Sequence, residues 1–206
     1  MICITEDVLD RNLAKIKEKF LNKSDNIMYL LKKGKIFYRL QDGYLEGKGV
    51  FFNPDGSKSR YGVHHTKGTL YLAEKPRAAL GEIFKGLPAL REKKLDDYHM
   101  ATLKTARDLN IVDGNMLMTQ MKMTMHDLTT TSYKNTQRIA NLLCQFYDGL
   151  RYTSNTTGEV CIVLWHEDPN GRGVVSMENL VPLSAFYFNN ERAADILTDD
   201  LGVLII

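Results

Sequence analysis

Two charged side chains interrupt apolar stretches of the 206-residue chain, and each is of a type that does chemistry. Arg39 sits among Ile36, Phe37, Tyr38 and Leu40, where a guanidinium would present a planar fork able to hold an oxyanion through two hydrogen bonds. Glu82 sits among Ala78, Ala79, Leu80, Ile83 and Phe84, so a carboxylate stands on a strongly apolar helical stretch. Tyr71 precedes it in the interval Tyr71-Leu72-Ala73-Glu74-Lys75-Pro76-Arg77-Ala78-Ala79-Leu80-Gly81-Glu82, which places one turn between a strand residue and the acid. Taken singly, Glu82 also fits an ordinary exposed helical glutamate, and Arg39 the solvent face of an edge strand.

Other candidates carry less. His64-His65 could attract a metal, but neighbouring side chains on an extended chain point to opposite faces and no third ligand follows at a recognisable spacing, so a solvated loop is expected. His126-Asp127 and His166-Glu167 read as surface pairs, because adjacent side chains do not converge on one point. The sequence has no P-loop, no Gly-x-Gly-x-x-Gly after a strand, no His-Glu-x-x-His and no Gly-x-Ser-x-Gly. Cys3, Cys144 and Cys161 are odd in number and lack metal-type spacing, which argues for a reducing compartment, against a disulfide framework and against a metal site.

The elements that must position Arg39 and Glu82 follow from the pattern. Thr5 is a candidate N-cap before Glu6 and Asp7, and Val8, Leu9, Leu13, Ile16 and Phe20 recur on one face of an N-terminal helix. Lys35 to Leu40 and Val50-Phe51-Phe52 are expected as two strands, the second running into the turn Asn53-Pro54-Asp55-Gly56. Gly68 to Ala73 is a further strand, and Pro76 opens the helix that carries Glu82. Pro88 to Asn110 is charge-rich with helical stretches, and the methionines of 116–125 read as adaptable core filling. Ser132 to Tyr147 is expected as a helix stopped by Gly149, with a loop at Ser154, Asn155 and Gly158 after it. Glu159 to Trp165 is the most apolar strand, closed by Asp168-Pro169-Asn170-Gly171. A short helix near Glu191 to Leu197 and the apolar tail Val203 to Ile206 end the chain.

This order lacks the regular alternation of a doubly wound sheet and implies an α+β class, with residues 1–30 as an N-terminal helical segment and 31–206 as one compact unit. The balance of 27 basic and 25 acidic side chains, a net charge of +2, supplies no large positive field for nucleic acid or anionic lipid. No apolar run has signal-peptide or membrane-spanning length, so a cytoplasmic location is expected.

Four fragments in order, Tyr38-Arg39-Leu40, Phe52-Asn53-Pro54-Asp55-Gly56, Gly68 through Glu82, and Gly149-Leu150-Arg151-Tyr152-Thr153-Ser154, resemble the RES domain over about Phe37 to Trp165. That family is named for an arginine, a glutamate and a serine, which fall on Arg39, Glu82 and Ser154. The resemblance implies an ADP-ribosyltransferase-like core and a toxin that takes NAD as substrate, either depleting it or transferring ADP-ribose to a protein. It also implies an Xre-like antitoxin partner and self-association. Within it, Glu82 and Arg39 are the catalytic candidates, while Arg39, Tyr71 and Ser154 are the NAD-binding ones. Arg39 would hold the diphosphate or the adjacent ribose, Tyr71 would stack on nicotinamide, and Ser154 would bond the ribose or carboxamide. Two departures stand out: Gly49-Val50-Phe51-Phe52 replaces the family's Gly-Arg pair before the Asn-Pro turn, and the insert Ser57 to Lys67 is long. Arg60 in that insert is the candidate substitute for the missing arginine, and a non-catalytic binding module is the competing reading.

Overall fold

The computed structural model describes residues 5–22, 26–43, 48–64, 67–129 and 133–206. The elements run α1 (Glu6–Leu21), β1 (Met28–Leu31), β2 (Ile36–Asp42), β3 (Gly68–Ala73), α2 (Pro76–Phe84), β4 (Ala89–Leu90), β5 (Tyr98–Thr105), β6 (Leu109–Asp113), α3 (Gly114–Met121), α4 (Met125–Thr129), α5 (Tyr133–Leu143), β7 (Gly149–Thr153), β8 (Val160–His166), β9 (Val175–Pro182), β10 (Tyr187–Phe188), β11 (Glu191–Arg192), α6 (Ala193–Asp195) and β12 (Leu204–Ile205). The class is α+β. One eight-stranded sheet, ordered β1-β6-β7-β8-β3-β2-β5-β9, organises the chain; β6 and β7 run parallel and every other pair in it is antiparallel.

Alternation along the strands sends side chains to two separate cores. Cys161, Val163 and Trp165 of β8 join the helical residues Leu9, Ile16, Leu80, Ile139 and Leu143, whereas Ile162 and Leu164 face a second cluster made almost wholly from strands. That second cluster takes Leu31 from the edge strand β1 and Val175 from the opposite edge strand β9, so the sheet curls until its two ends share one concave core. Phe52 fills this concavity and is fully buried.

Several expectations change. Val50-Phe51-Phe52 is not a strand: its neighbour Asn53 makes an isolated bridge to Thr69, and the ladder position beside β3 is taken by β2 and β8. Pro88–Asn110 holds helix only as the 3-10 stretch Glu92–Asp97, and its main element is the strand β5; the burial of β5 alternates only in part because it is flanked by β2 and β9, and a mixed pattern hides a period of two. Gly149 does not stop a helix. α5 ends at Leu143, and Gly149 begins β7, where an added Cβ would lie 2.3 Å from the Val163 carbonyl oxygen. Asp127 is buried, accepting from the Thr124 N–H and hydroxyl at 2.8 and 2.7 Å, so it does not lie at the surface as expected. Thr5 occupies the α1 N-cap position without a side-chain cap bond, while Leu9, Ile16 and Phe20 enter the core as the periodicity indicates. Cys144 and Cys161 are buried free thiols, and Cys3, His65 and Ser132 lie outside the described residues. Among the described residues no helix is long and apolar enough to cross a membrane, and no three His, Cys, Asp or Glu side chains group to hold a metal.

Candidate active site

The sheet is weakest at one seam. β2 pairs with β5 from Ile36 to Asp42 and β3 pairs with β8 from Gly68 to Ala73, but β2 and β3 share only the register pair Tyr38 and Ala73. The two strands diverge beyond it, and a cleft of about 440 Å³ opens in the gap. Because the gap interrupts the sheet itself, both strand parities reach it: Tyr38, Arg39 and Leu40 from β2, and Tyr71, Leu72 and Ala73 from β3. Ala79, Glu82 and Ile83 of α2 form another side, and Lys58, Ser59, Arg60 and Tyr133 approach from a loop and from the start of α5. The buried Tyr152 and Cys161 complete the lining.

Glu82 is exposed to this cleft, and one of its oxygens is fixed from behind. The Ser154 hydroxyl, on a residue 2% exposed, donates to Glu82 Oε1 at 2.5 Å. Ser154 Oγ in turn accepts the backbone N–H groups of Thr156 and Thr157 at 3.1 and 3.3 Å, so its proton is directed at the carboxylate. The turn that carries it is closed by Ser154 N–H to the Glu159 carbonyl and Gly158 N–H to the Ser154 carbonyl, at 2.8 and 2.9 Å. Gly81 lets α2 approach this turn, since a Cβ there would sit 2.7 Å from Thr157 Cγ2. Pro76 starts the helix at a position where its missing N–H costs nothing.

Arg39 lies on an interior strand, between β3 and β5, not on a sheet edge. Its Nη1 donates to the Gly49 carbonyl at 3.0 Å, and no carboxylate pairs with it among the described residues. Burial lowers its pKa to about 10, which still leaves it charged at neutral pH. A half-buried cation that no described carboxylate neutralises is a seat for an anion.

Tyr71 lines the cleft with its ring while its hydroxyl oxygen accepts the Tyr61 N–H at 2.8 Å. Tyr61 is fully buried, donates its hydroxyl to the Leu128 carbonyl at 2.7 Å, and stacks at a tilt on Tyr152 with centroids 5.1 Å apart. Burial raises the pKa of Tyr71, Tyr61 and Tyr152, with the Glu82 charge adding to the last two. Cys161 is pushed up to about 12 by burial first and by Glu82 next, so it is a neutral thiol and no nucleophile at neutral pH.

Of the four residues singled out in the sequence, Arg39, Tyr71 and Glu82 therefore line one cleft, and Ser154 stands behind Glu82 without lining it. The insert is not a solvated loop throughout. Tyr61, Gly62 and Val63 are buried, and the His64 N–H bonds Asn141 Oδ1 at 3.1 Å. What the sequence reading missed is Lys58, Ser59, Tyr133 and the side chain that holds the loop, Gln137; its signal was the polar spacing Tyr133, Gln137, Asn141, one residue per helical turn of α5.

A family model described as the RES domain matches residues 37–184. The chain belongs to the RES domain family. The matched residues include the whole lining of the cleft, from Tyr38 to Cys161, the Glu82–Ser154 pair and the loop that bears Arg60. A chain of the M. tuberculosis MbcT–MbcA toxin–antitoxin complex has a similar fold, with a TM-score of 0.65 at 16% identity over 85% of this chain and 93% of that one. A comparison with curated proteins finds no match.

Proposed function

We propose that this RES domain cleaves NAD at the bond between nicotinamide and ribose and acts as a toxin. The observation that carries the reading is the pairing of two opposite charges in one cleft: an exposed carboxylate, Glu82, fixed by buried Ser154, and a half-buried guanidinium, Arg39, without a carboxylate partner among the described residues. As the glycosidic bond breaks, nicotinamide leaves with the electron pair and the ribose carbon gains positive charge. A preorganised carboxylate stabilises that charge most where water is excluded. The diphosphate of the same molecule is anionic, and Arg39 binds it through the guanidinium donors that no described residue takes. Tyr71, neutral and immobilised through its hydroxyl, offers a ring face to the nicotinamide side. Ser154 acts through Glu82 as a positioning residue.

The acceptor of ADP-ribose is water or phosphate in a depleting toxin and a protein side chain in a transferase. Purified protein incubated with NAD, with and without phosphate, should release nicotinamide; the co-product, ADP-ribose or its 1-phosphate, identifies the acceptor, and labelled NAD reports transfer to protein. No nicotinamide release under any of these conditions would leave a binding module as the reading. The toxin–antitoxin complex of the similar fold supports a neutralising partner for this chain, whose co-expression should restore growth of cells producing it.

A further inference from the structure

One arginine is a small counterweight to a diphosphate that carries two negative charges and must enter a cleft already holding Glu82. The remaining positive charge comes from the loop before β3, where Lys58 and Arg60 line the same cleft. That loop is built to hold its shape. Gly56 and Gly62 cross so closely that a Cβ on Gly62 would lie 2.0 Å from the Gly56 carbonyl oxygen, and one on Gly56 would lie 2.4 Å from that of Val63. Asp55 Oδ1 accepts the Ser57 N–H and hydroxyl at 3.0 and 2.6 Å, and the Gly62 N–H closes a turn on the Ser59 carbonyl at 3.1 Å. Past the turn, Tyr61 anchors the chain through the Tyr71 hydroxyl and through Trp165 Nε1, which donates to its carbonyl at 3.0 Å.

The clamp across this loop is a single amide. Gln137 Nε2 shares its two hydrogens among the carbonyls of Gly56, Ser57 and Ser59 at 3.0, 3.2 and 2.9 Å, bracketing Lys58 and leading into Arg60. One turn along α5, Asn141 Nδ2 bonds the Gln137 carbonyl at 2.8 Å and its Oδ1 takes the His64 N–H. One turn back, Tyr133 lines the cleft. A single helix face thus fixes the loop at both ends, and Lys58 and Arg60, with Ser59 between them, line the cleft.

We propose that Lys58 and Arg60 form, with Arg39, the diphosphate-binding wall of the site, and that Gln137 is the positioning residue that holds this wall against α5. The proposal rests on the NAD reading for the identity of the ligand. It also accounts for orientation: cations on the loop side and Glu82 on the α2 side admit the substrate with its diphosphate away from the carboxylate.

The test is binding of ADP-ribose by calorimetry, alongside NAD turnover, for the parent, Arg60→Gln, Lys58→Gln and Gln137→Leu, each checked for its melting temperature. Arg60→Gln and Lys58→Gln alter side chains that line the cleft, and a melting temperature equal to the parent's shows that each variant keeps the fold. ADP-ribose affinity should fall about tenfold in Arg60→Gln, as expected for a lost hydrogen bond to a charged group, and Arg60→Lys should restore part of it. Gln137→Leu should raise KM for NAD several-fold with kcat held within about twofold, the signature of weakened uniform binding. Unchanged ADP-ribose affinity in both Arg60→Gln and Lys58→Gln, in a parent that consumes NAD, overturns the wall while leaving the activity. Arg60-dependent binding of ADP-ribose by a parent that releases no nicotinamide upholds the wall and removes the activity. A parent that neither binds nor consumes removes both.

Discussion

The two charged walls of the cleft are built by opposite means. On the acidic wall the working group is exposed and its support is buried: Glu82 faces the cleft while Ser154, backed by two amide N–H groups, locks one oxygen from inside the protein. On the cationic wall the working group is itself partly withdrawn from water, since Arg39 is half-buried and among the described residues is met by the Gly49 carbonyl and no carboxylate, and its companions ride on a loop. The difference suits the two tasks. A charge that must stabilise a transient cation gains from fixed geometry, whereas charges that bind a diphosphate gain from desolvation and from several donors around it.

The sharpest way to break this comparison is Glu82→Gln, which keeps the shape and the contact to Ser154 but removes the charge. Nicotinamide release should fall by roughly 10²- to 10³-fold in kcat with little change in KM, in line with the loss of a preorganised electrostatic contact. Parent-like kcat in a folded variant would remove Glu82 from the chemistry. Ser154→Ala should cost about tenfold in kcat, because Glu82 then loses a hydrogen bond to a charged group while keeping its charge. If KM alone rose, Ser154 would be touching substrate and the two walls would share it. Arg39→Lys keeps the charge on the other wall but not the fork, and should raise KM for NAD by about fivefold to tenfold at nearly constant kcat; a kcat effect as large as that of Glu82→Gln would merge the walls into one catalytic unit.

The smallest effect concerns stability. Cys161 loses its proton near 9.0 when unfolded and only near about 12 in the fold, so its contribution is complete below pH 9 and fades as pH rises towards 12. Tyr61 and Tyr152, raised from 10.0, act in the same direction. The urea midpoint should therefore drop steadily above pH 9, with a shallower slope in Cys161→Ala; a midpoint that is flat to pH 11 would mean that the interior behind the acidic wall is wet.

Much of both walls was legible in the chain. Arg39 and Glu82 each fit an ordinary exposed side chain when taken singly, and it is the order of four fragments that ties them to one family and one site. α2 and its Pro76 start, β3 and β8 were readable because a proline at a first helical turn and unbroken apolar runs are strong local signals. β5, β7 and β9 were not: each mixes polar and apolar residues, and each is a strand because neighbours on either side or along one edge supply its ladder bonds.

The sequence by itself determined which groups carry charge, which stretches are apolar and which family the chain falls in, since these depend on residue type and local period. Only the tertiary structure decided what each charge meets. The Ser154 hydroxyl reaches Glu82 across 72 residues of chain, and Gln137 reaches the Gly56 and Ser59 carbonyls across 81 and 78. No local pattern encodes such contacts, because they exist only once the divergence of β2 from β3 has opened the cleft and the helices have packed around it.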